Sequence, residues 1–397
     1  MKKVLVPRVR FKGFDDNWEQ GNIGEVFELT RGEVLSQRKI RNKKMGEYIY
    51  PVFSSQTLNN GLLGFYNNFL FKNSITWTTD GANAGTVLYR DGLFYATNVC
   101  GVMLQKTSIK PSSYFAHEIN VKVKKHVIKA GNPKLMINVL HEVLINFSKN
   151  KLEQEKISIL IENIDNLITL EQTKLNKLKQ LKETLLQKMF PEGNSKIPRI
   201  RFKGFDEEWK EYKFNDIGSY YSTSSLSYND LSKGGQYKCV LYGELYTKYN
   251  ERIFNVISRT NKKITLTQPN DILFPTSTTV DPYSLISPSC VNEENVMTGG
   301  DLFGIRPYKN INGNFISYYI NNVEYIKNKL ANKAQGLTII HLYYKNILNE
   351  NLYIASLEEQ NKIAKLFVKI DTIINLYQSK LNKLKQIKEA LLQKMFV

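Results

Sequence analysis

The chain has 397 residues, enough for two or three domains, and its 55 Lys and Arg residues against 37 Asp and Glu residues give a formal net charge of +18. A hydrophobic fraction of 42%, with 23 Tyr and 20 Phe residues, excludes a disordered basic tail, because so many apolar side chains can build cores. The basic excess favours a polyanionic partner such as nucleic acid, since cationic side chains displace counterions from a phosphate backbone.

The cysteines and histidines argue against a metal site or a disulfide framework. Cys100, Cys239 and Cys290 lie far apart and form no Cys-x-x-Cys pair, which fits a reducing cytoplasm. The four histidines show no close metal-ligand spacing; they are His117, His126, His141 and His341. The first residues lack the apolar core of a signal peptide, and no apolar run approaches the roughly 18 residues that span a bilayer. We therefore expect a cytoplasmic protein without a membrane partner.

The chain opens with a short basic and aromatic box that runs from Val6 to Trp18 and reads Val-Pro-Arg-Val-Arg-Phe-Lys-Gly-Phe-Asp-Asp-Asn-Trp, and a middle segment follows it. This first middle, roughly residues 20–150, alternates apolar and β-branched residues between Asn-Asn-Gly, Asp-Gly and Asn-Ala-Gly sequences, which predicts strands joined by tight hairpins. The predicted strands are Tyr48–Ser55, Gly61–Tyr66, Ser74–Thr79, Gly85–Arg90 and a run that begins at Gly92.

A long helical segment closes the first half of the chain. From Ile157 to Met189 apolar residues recur in steps of three and four, with Glu171 and Lys182 as polar interruptions. This heptad seam predicts a coiled-coil helix of roughly 38 residues, or about 57 Å at about 1.5 Å per residue, that stops at Pro191. A seam of that length is longer than a domain of about 150 residues is wide, so it needs a long partner.

The second half of the chain repeats this order. The box recurs at Ile197–Trp209 with an offset of 191, and Lys380–Phe396 repeats Lys174–Phe190 with 15 of 17 positions identical and an offset of 206. The second middle, roughly residues 211–355, does not align with the first and is 15 residues longer (206 − 191). Its predicted elements are strands at Tyr237–Tyr249 and from Asp271, and a helix over Phe315–Asn332. Both middles are therefore predicted to be α+β.

The second helix has its own seam, which runs from Ile363 to Met395 and is interrupted by Lys388. Helix 1 delivers the chain to the second middle, and helix 2 must run back if the two seams pair, so the helices are predicted to be antiparallel. The middles are then expected at opposite ends, related by a pseudo-twofold axis. We interpret the repeated ends as doing one common job and the diverged middles as doing two different jobs of one kind.

Polar loops flank the predicted strands of both middles, and they supply side chains that can hydrogen-bond base edges and contact phosphates. In the first middle the candidate DNA-contacting residues are Ser54, Ser55, Gln56, Thr78, Thr79, Asp80, Asn83, Tyr95, Thr97 and Asn98. In the second middle they are Tyr242, Glu244, Tyr246, Thr247, Lys248, Tyr249, Thr276, Ser277, Thr278, Lys333 and Gln335.

Motifs for catalysis are missing from the sequence. No Gly-Lys dipeptide occurs, so there is no Walker A phosphate loop. The single Asn-Pro pair, Asn132-Pro133, lacks the aromatic residue that follows it in amino-methylating enzymes. The Glu-x-Lys triplets at Glu208 and Glu211 lie in or beside the repeated box, and we interpret them as surface. We therefore expect no catalytic residue, no metal and no cofactor in this chain.

The repeated segments together resemble type I restriction-modification specificity subunits. The resemblance rests on both Pro-Arg-x-Arg-Phe-x-Gly-Phe boxes, the Leu-Glu-Glu-Gln-x-Lys-Ile helix entry at Leu357–Ile363, and the Leu-Leu-Gln-Lys-Met-Phe exit of both helices. In the first copy the helix entry at Lys151–Ile157 departs from this pattern and reads Lys-Leu-Glu-Gln-Glu-Lys-Ile. The resemblance covers essentially the whole chain, and the duplicated order of the motifs is its specific feature.

The resemblance implies a non-catalytic subunit with two α+β target recognition domains joined by two long antiparallel coiled-coil helices in a pseudo-twofold tandem repeat. The implied domains are recognition domain 1 at 1–151, helix 1 at 152–190, recognition domain 2 at 191–356 and helix 2 at 357–397. Each domain would read one half of a bipartite, asymmetric site in double-stranded DNA, with the helices fixing the gap. Two methyltransferase subunits would bring S-adenosylmethionine and methylate adenine, and motor-nuclease subunits would complete the restriction complex.

The repeated outer faces of the two helices are the predicted docking surface for two copies of one partner, because solvent alone tolerates many different polar residues there. The candidate partner-binding residues are Asn176, Lys177, Gln180, Gln187, Asn382, Lys383, Gln386 and Gln393. A recent duplication would also explain this identity. Two other functions stay open: an enzyme that itself acts on DNA, which S-adenosylmethionine or ATP binding would reveal, and a DNA-binding coiled-coil scaffold without sequence preference, which competition with random DNA would reveal.

Overall fold

The computed structural model describes residues 5–55, 58–193 and 195–396, and the chain divides into two compact units. Unit 1 comprises Met1–Gln172 and Ser379–Val397, and unit 2 comprises Thr173–Gln378. Each unit therefore contains one middle, the first part of the long helix that follows it, and the last part of the other long helix.

In unit 1 a six-stranded sheet with the order β2-β7-β5-β6-β3-β4 carries the core, and β1 pairs with β8 separately. Its strands are β1 Glu19–Asn22, β2 Phe27–Arg31, β3 Tyr50–Phe53, β4 Leu62–Tyr66, β5 Phe71–Thr78, β6 Val87–Ala96, β7 Cys100–Gln105 and β8 Leu144–Phe147. Its helices are α1 Ile23–Val26, α2 Ser113–Val123, α3 Ile137–His141 and the beginning of α4, which spans Lys151–Lys188.

The Asp91-Gly92 sequence is not a hairpin turn, and that prediction is wrong. Strand β6 runs straight through it, and the pairing register with β5 shifts between Lys72 and Ser74. Gly92 has a φ of +74° and donates its N–H to the side chain of Asn73 at 2.7 Å. The same left-handed conformation that suits a two-residue turn also suits a β-bulge, so a local Asp-Gly signal does not distinguish them.

In unit 2 the strands form a five-stranded sheet, β10-β19-β15-β17-β12, a four-stranded sheet, β13-β11-β18-β14, and the pairs β16-β20 and β21-β9. The strands are β9 Lys210–Lys213, β10 Gly218–Ser222, β11 Tyr237–Leu241, β12 Arg252–Ile253, β13 Arg259–Thr260, β14 Thr265–Leu266, β15 Ile272–Pro275, β16 Ser277–Thr278, β17 Ser289–Val291, β18 Val296–Gly299, β19 Leu302–Pro307, β20 Ile340–His341 and β21 Asn351–Ile354. The helices are α5 Tyr242–Thr247, α6 Pro282–Leu285, α7 Gly313–Asn322, α8 Glu324–Ala331, α9 Tyr344–Ile347 and α10 Leu357–Met395.

Two predicted elements of unit 2 differ from the structure. The predicted strand Tyr237–Tyr249 ends at Leu241, because the carboxylate of Glu244 accepts the N–H of Leu241 at 3.2 Å and starts a short helix. The helix predicted over Phe315–Asn332 is two helices, α7 and α8, with Val323 between them in an extended conformation. In both places the sequence pattern predicts one continuous element, whereas the structure has two elements in succession. The pattern does not locate such breaks, because strands and helices can bury similar apolar runs.

The two middles share a core of three strands, β2-β7-β5 in unit 1 and β10-β19-β15 in unit 2, although their sequences do not align. In unit 1 Ile75 of β5 pairs with Met103 of β7, and in unit 2 Ile272 of β15 pairs with Ile305 of β19. The first residues of these pairs differ by 197 in number (272 − 75) and the second by 202 (305 − 103). Because the offset changes from strand to strand through insertions, a comparison at one fixed offset cannot detect the common core.

Within each unit the long helices run antiparallel and bury the predicted seam. Ion pairs in unit 1 join Lys388 to Asp165 at 2.5 Å and Lys380 to Glu171 at 3.0 Å, so one residue number rises as the other falls. In unit 2 Lys182 pairs with Asp371 at 2.8 Å. The seam residues predicted from Ile157 to Met189 and from Ile363 to Met395 are buried or half-buried. The prediction of antiparallel helices is confirmed, and the predicted polar interruptions form ion pairs between helices.

The repeated box binds the start of the long helix in both units through what we call the clasp: Arg10, Trp18 and Glu153 in unit 1. Two nitrogens of Arg10 donate to the two oxygens of Glu153 at 2.6 and 3.0 Å, and the indole N–H of Trp18 donates to the same carboxylate at 3.2 Å. Phe396, which follows the end of α10, packs edge-on against Trp18, and the two ring centres are 6.3 Å apart. The clasp therefore ties the box, the beginning of one helix and the end of the other into one core.

Unit 2 repeats the clasp with Arg201, Trp209 and Glu359. The arginine donates to both carboxylate oxygens at 2.8 Å, and the indole donates at 3.1 Å. Phe190, which follows the end of α4, packs edge-on against the indole of Trp209, and the two ring centres are 6.2 Å apart. Because Glu153 and Glu359 are almost fully buried, each needs its arginine to offset the cost of removing a carboxylate from water.

Arg201→Ala should lower the free energy of unfolding by about 2–4 kcal/mol, because it leaves the buried Glu359 carboxylate with the indole as its main remaining donor. Arg199→Ala is the matched control, since Arg199 pairs with Glu192 on the surface and an exposed pair contributes at most about 1 kcal/mol. Urea denaturation followed by tryptophan fluorescence measures both. Equal losses for the two variants would contradict a structural role for the clasp.

Candidate nucleic-acid interface

In unit 1 the turn between β6 and β7, residues 97–99, joins loops that are far apart in sequence. Thr97 donates its hydroxyl to that of Ser54 at 3.1 Å, and its N–H bonds to the carbonyl of Phe53 at 2.9 Å. Thr79, after β5, donates its hydroxyl to the carbonyl of Val99 at 3.0 Å. The structure therefore brings candidates after three different strands to one place, which a separate reading of each loop does not show.

The candidates at this turn differ in exposure. Thr78, Thr79, Tyr95 and Thr97 are buried, and the hydroxyls of Thr79 and Thr97 form bonds that support the turn. Asn98 is exposed, and four other candidates are half-buried: Ser54, Ser55, Asp80 and Asn83. Gln56 lies outside the described residues. A groove of about 870 Å³ beside the start of α4 in unit 1 is lined by none of these candidates.

Arg90 is a residue of this region that the sequence analysis missed. It is buried in β6, and it donates to the hydroxyl of Thr76 at 3.0 Å and to the carbonyl of Asn60 at 2.7 Å. Its guanidinium carbon lies 3.8 Å from the ring centre of Phe53. Burial lowers the pKa of Arg90 to about 10, so the guanidinium stays charged at neutral pH. We infer that it holds the loop before β4; an isolated arginine in a predicted strand gave no signal of this role.

In unit 2 a groove of about 880 Å³ collects five of the candidates. Its lining includes Tyr242, Tyr246 and Thr247 from α5 and Ser277 and Thr278 from β16. The hydroxyl of Tyr246 donates to the carbonyl of Ser277 at 3.1 Å, which connects the two elements. Aromatic faces and hydroxyl groups side by side suit contacts with nucleobases and sugars.

Lys327, which the sequence analysis did not select, also lines this groove together with Glu251 and Tyr283. Its ammonium nitrogen lies 4.5 Å from the ring centre of Tyr283. Burial lowers the pKa of Lys327, while the nearby carboxylates of Glu251 and Asp281 act in the opposite direction. The positive charge of Lys327 is therefore balanced by the neighbouring carboxylates of Glu251 and Asp281.

Other candidates in unit 2 have structural partners. The carboxylate of Glu244 accepts from Lys248 at 2.5 Å and from the hydroxyl of Ser258 at 2.5 Å. Lys333 pairs with Glu350 at 2.7 Å. Gln335 is exposed and bonds through its backbone to His341, while Thr276 and Tyr249 are half-buried and buried. The structure does not bring these residues into the groove as a group.

The eight candidate partner-binding residues are all exposed in their own units. Four lie on α4 in unit 2, at Asn176, Lys177, Gln180 and Gln187; four lie on α10 in unit 1, at Asn382, Lys383, Gln386 and Gln393. Leu181 and Ile387, which are 206 positions apart, are exposed apolar residues on the same repeated stretches. Each repeated stretch thus combines amide and cationic side chains with one exposed apolar residue.

The described ranges 5–55, 58–193 and 195–396 contain neither a cluster of metal-ligand side chains nor a membrane-spanning helix. No group of three or more His, Cys, Asp or Glu side chains there is placed to hold a metal ion. No helix there is long and apolar enough to cross a membrane.

The sequence matches a protein-family model described as the type I restriction modification DNA specificity domain, once over residues 15–180 and again over 206–386. It is 39% identical over 142 residues to a Mycoplasma pneumoniae protein described as the N-terminus of a candidate type I specificity subunit, covering 35% of this chain and 74% of that protein. It is 33% identical over 163 residues to the specificity subunit of type I restriction enzyme MpnII of the same organism, covering 41% of this chain and 46% of that one. The chain thus spans less than half the length of that second relative.

A solved structure shows the same fold over the full length. The crystal structure of the type I restriction-modification system S subunit from M. genitalium superposes with a TM-score of 0.67, covering 99% of both chains at 18% identity. At this identity the likeness concerns the fold, which is the predicted mixed α+β architecture with a duplicated domain and long helices.

Thr79→Val should destabilise unit 1 by about 1–3 kcal/mol, because it removes the hydroxyl whose single proton is shared between the Val99 carbonyl and the Asp80 carboxylate. Asn98→Ala, on an exposed side chain of the same turn, should change stability by no more than about 0.5 kcal/mol. Thermal unfolding followed by circular dichroism compares the two. A stability of Thr79→Val equal to that of the parent would mean that the turn does not depend on this hydroxyl.

Proposed function

The chain belongs to the family of the type I restriction modification DNA specificity domain, and from this membership we propose that it recognises a bipartite, asymmetric DNA site and directs partner subunits to that site. One observation supports the proposal above all: the two units share the clasp and the helix ends but carry different sheets. Unit 1 has one six-stranded sheet, whereas unit 2 has separate five-stranded and four-stranded sheets. Different surfaces on a common frame suit two different half-sites, so the full site is not a palindrome.

The proposed contacts with DNA come from the candidate loops in each unit. In unit 1 they involve Asn98 and the half-buried candidates Ser54, Ser55, Asp80 and Asn83, and in unit 2 the groove between α5 and β16. The net charge of +18 supports binding to the phosphate backbone, which supplies affinity without sequence preference. Hydroxyl, amide and aromatic side chains then provide the discrimination between bases.

The proposed partners are two methyltransferase subunits, which bring S-adenosylmethionine and methylate adenine, and motor-nuclease subunits in the complete restriction complex. In this proposal the chain itself is not an enzyme and holds no cofactor. The near-identical exposed stretches of α4 and α10 support two equal docking places, because each presents the same amides, lysines and one apolar residue. Near-identical residues at solvent-facing positions of the two repeats are not required for folding of the helix pair.

Exchange of a recognition domain tests the proposed reading of DNA. Residues 20–150 replaced by the first middle of another family member should change one half of the methylated sequence and leave the other half and the gap as they were. Sequencing that detects methylated adenine in cells with and without the chain measures this. A change in both halves would contradict independent domains, and methylation without any preferred sequence would support a scaffold that binds DNA non-specifically.

Charge reversal on the repeated stretches tests the proposed docking. Lys177→Glu combined with Lys383→Glu should reduce recovery of methyltransferase subunits in a pull-down, since both proposed docking places lose a cation. Lys365→Glu combined with Lys369→Glu is the matched control, because these exposed lysines of α10 make the same change in net charge at positions that are not repeated in α4. Circular dichroism verifies folding. Equal recovery with both double variants would show that the repeated lysines are not the docking surface.

A further inference from the structure

Unit 1 has a short hairpin, Ile128–Lys134, that lies against the segment following β5. The N–H of Ile128 bonds to the carbonyl of Lys134 at 2.9 Å, and the reverse bond measures 3.0 Å. The next residue, Leu135, donates its N–H to the carbonyl of Thr79 at 2.9 Å. The hairpin is therefore anchored beside the candidate turn, while its tip at residues 129–132 is exposed.

Unit 2 has a hairpin with the same pattern of bonds, Gln335–His341. Its end residues exchange backbone bonds of 2.8 and 2.7 Å, and Leu342 donates its N–H to the carbonyl of Thr276 at 2.9 Å. The anchoring residues correspond, because Thr79 follows β5 and Thr276 follows β15, the paired strands of the common core. Both hairpins have seven residues, and their ends differ by 207 in number (335 − 128 and 341 − 134). The hairpin is thus common to both middles, in addition to the three-stranded core.

The tips of the two hairpins differ in chemistry. In unit 1 the tip reads Lys-Ala-Gly-Asn at 129–132, and the stretch from Ile119 to Leu140 contains five lysines and no acidic residue. In unit 2 the tip reads Gly-Leu-Thr-Ile at 336–339, and Leu337 is 99% exposed. Folding does not explain a leucine that buries no surface, since its apolar area remains in water.

The apolar tip of unit 2 continues into the groove already described. Ile339 lines that groove together with Val280, Tyr242 and Tyr283, all of which are exposed. A contiguous apolar and aromatic rim of this kind marks a surface that becomes covered when a partner binds. Apolar side chains at exposed tips are used by other DNA-binding proteins to contact thymine methyl groups or to enter between base steps.

We propose that the two hairpins are equivalent elements that contact different parts of the DNA: Leu337 and Ile339 in unit 2 contact bases, and Lys129 in unit 1 contacts phosphate. The inference rests on the proposed function, because it assumes that both units face DNA. Leu337, Ile339 and Lys129 are not among the DNA-contacting residues predicted from the sequence. In this proposal the unit 2 tip discriminates between bases, and the unit 1 tip contributes electrostatic affinity.

The test uses the chain in complex with its methyltransferase subunits and a duplex that carries the site mapped by adenine methylation. Leu337→Ala should weaken binding to this duplex about fivefold or more, with little change for a random duplex and an unchanged slope of log affinity against log salt. Ile257→Ala is the matched control, because Ile257 is a 74% exposed apolar residue of unit 2 outside the groove lining. Lys129→Gln should weaken binding to both duplexes about equally and reduce the salt slope by about one.

The possible outcomes separate the two levels of the proposal. If Leu337→Ala binds the mapped duplex like Ile257→Ala, or if Lys129→Gln leaves the salt slope unchanged, the assignment of the hairpins is overturned. The proposed function survives that result as long as the parent complex prefers the mapped duplex over the random one. If the parent complex does not distinguish the two duplexes, both the proposed function and the hairpin assignment fail.

Discussion

The pairing of a buried carboxylate with an arginine and a tryptophan at the start of each long helix is the constraint on which the rest of each unit depends. A carboxylate at this depth is costly unless charge and hydrogen bonds satisfy it. Arg10 and Arg201 do so with two parallel bonds, a geometry that only a planar guanidinium provides. The clasp sets the position of the box relative to the helix, and the phenylalanine from the end of the other helix completes the same core.

The helix seams show a similar use of charge for specificity. Glu171, Lys182 and Lys388 interrupt otherwise apolar stripes, and each has a partner of opposite charge, within its own unit. Such pairs add little net stability after desolvation, but a shifted register would leave charges unpaired against apolar side chains. We infer that these pairs define the register of the antiparallel helices. A defined register matters for a protein in which the helices are proposed to set the gap between half-sites.

The diverged middles combine a common core with different additions. Three strands of the core, the two-stranded pair before each long helix (β1 with β8, β9 with β21) and one hairpin are equivalent in the two units. The other strands, the groove beside α5 and the chemistry of the hairpin tips are particular to one unit. This arrangement allows the surface to change while the contacts with the clasp and the helices stay the same. Leu337 and Asn98 are exposed loop residues that belong neither to the clasp nor to the long helices, as expected for loops that vary on a rigid scaffold.

The sequence by itself determined the duplicated order, the family, the two long helices with their seams and antiparallel direction, and the α+β character of the middles. These follow from repeats and heptad spacing, which are written along the chain. Only the tertiary structure showed that Glu153 and Glu359 receive the box arginines, that Thr79 and Thr97 are buried at a shared turn, and that Asp91-Gly92 forms a bulge. Those features depend on contacts between residues from 16 positions apart (Ser74 with Arg90) to 158 positions apart (Arg201 with Glu359), and on insertions that shift the offset between equivalent strands. Local patterns contain no information about either, because burial and partner choice are decided by packing across the whole unit.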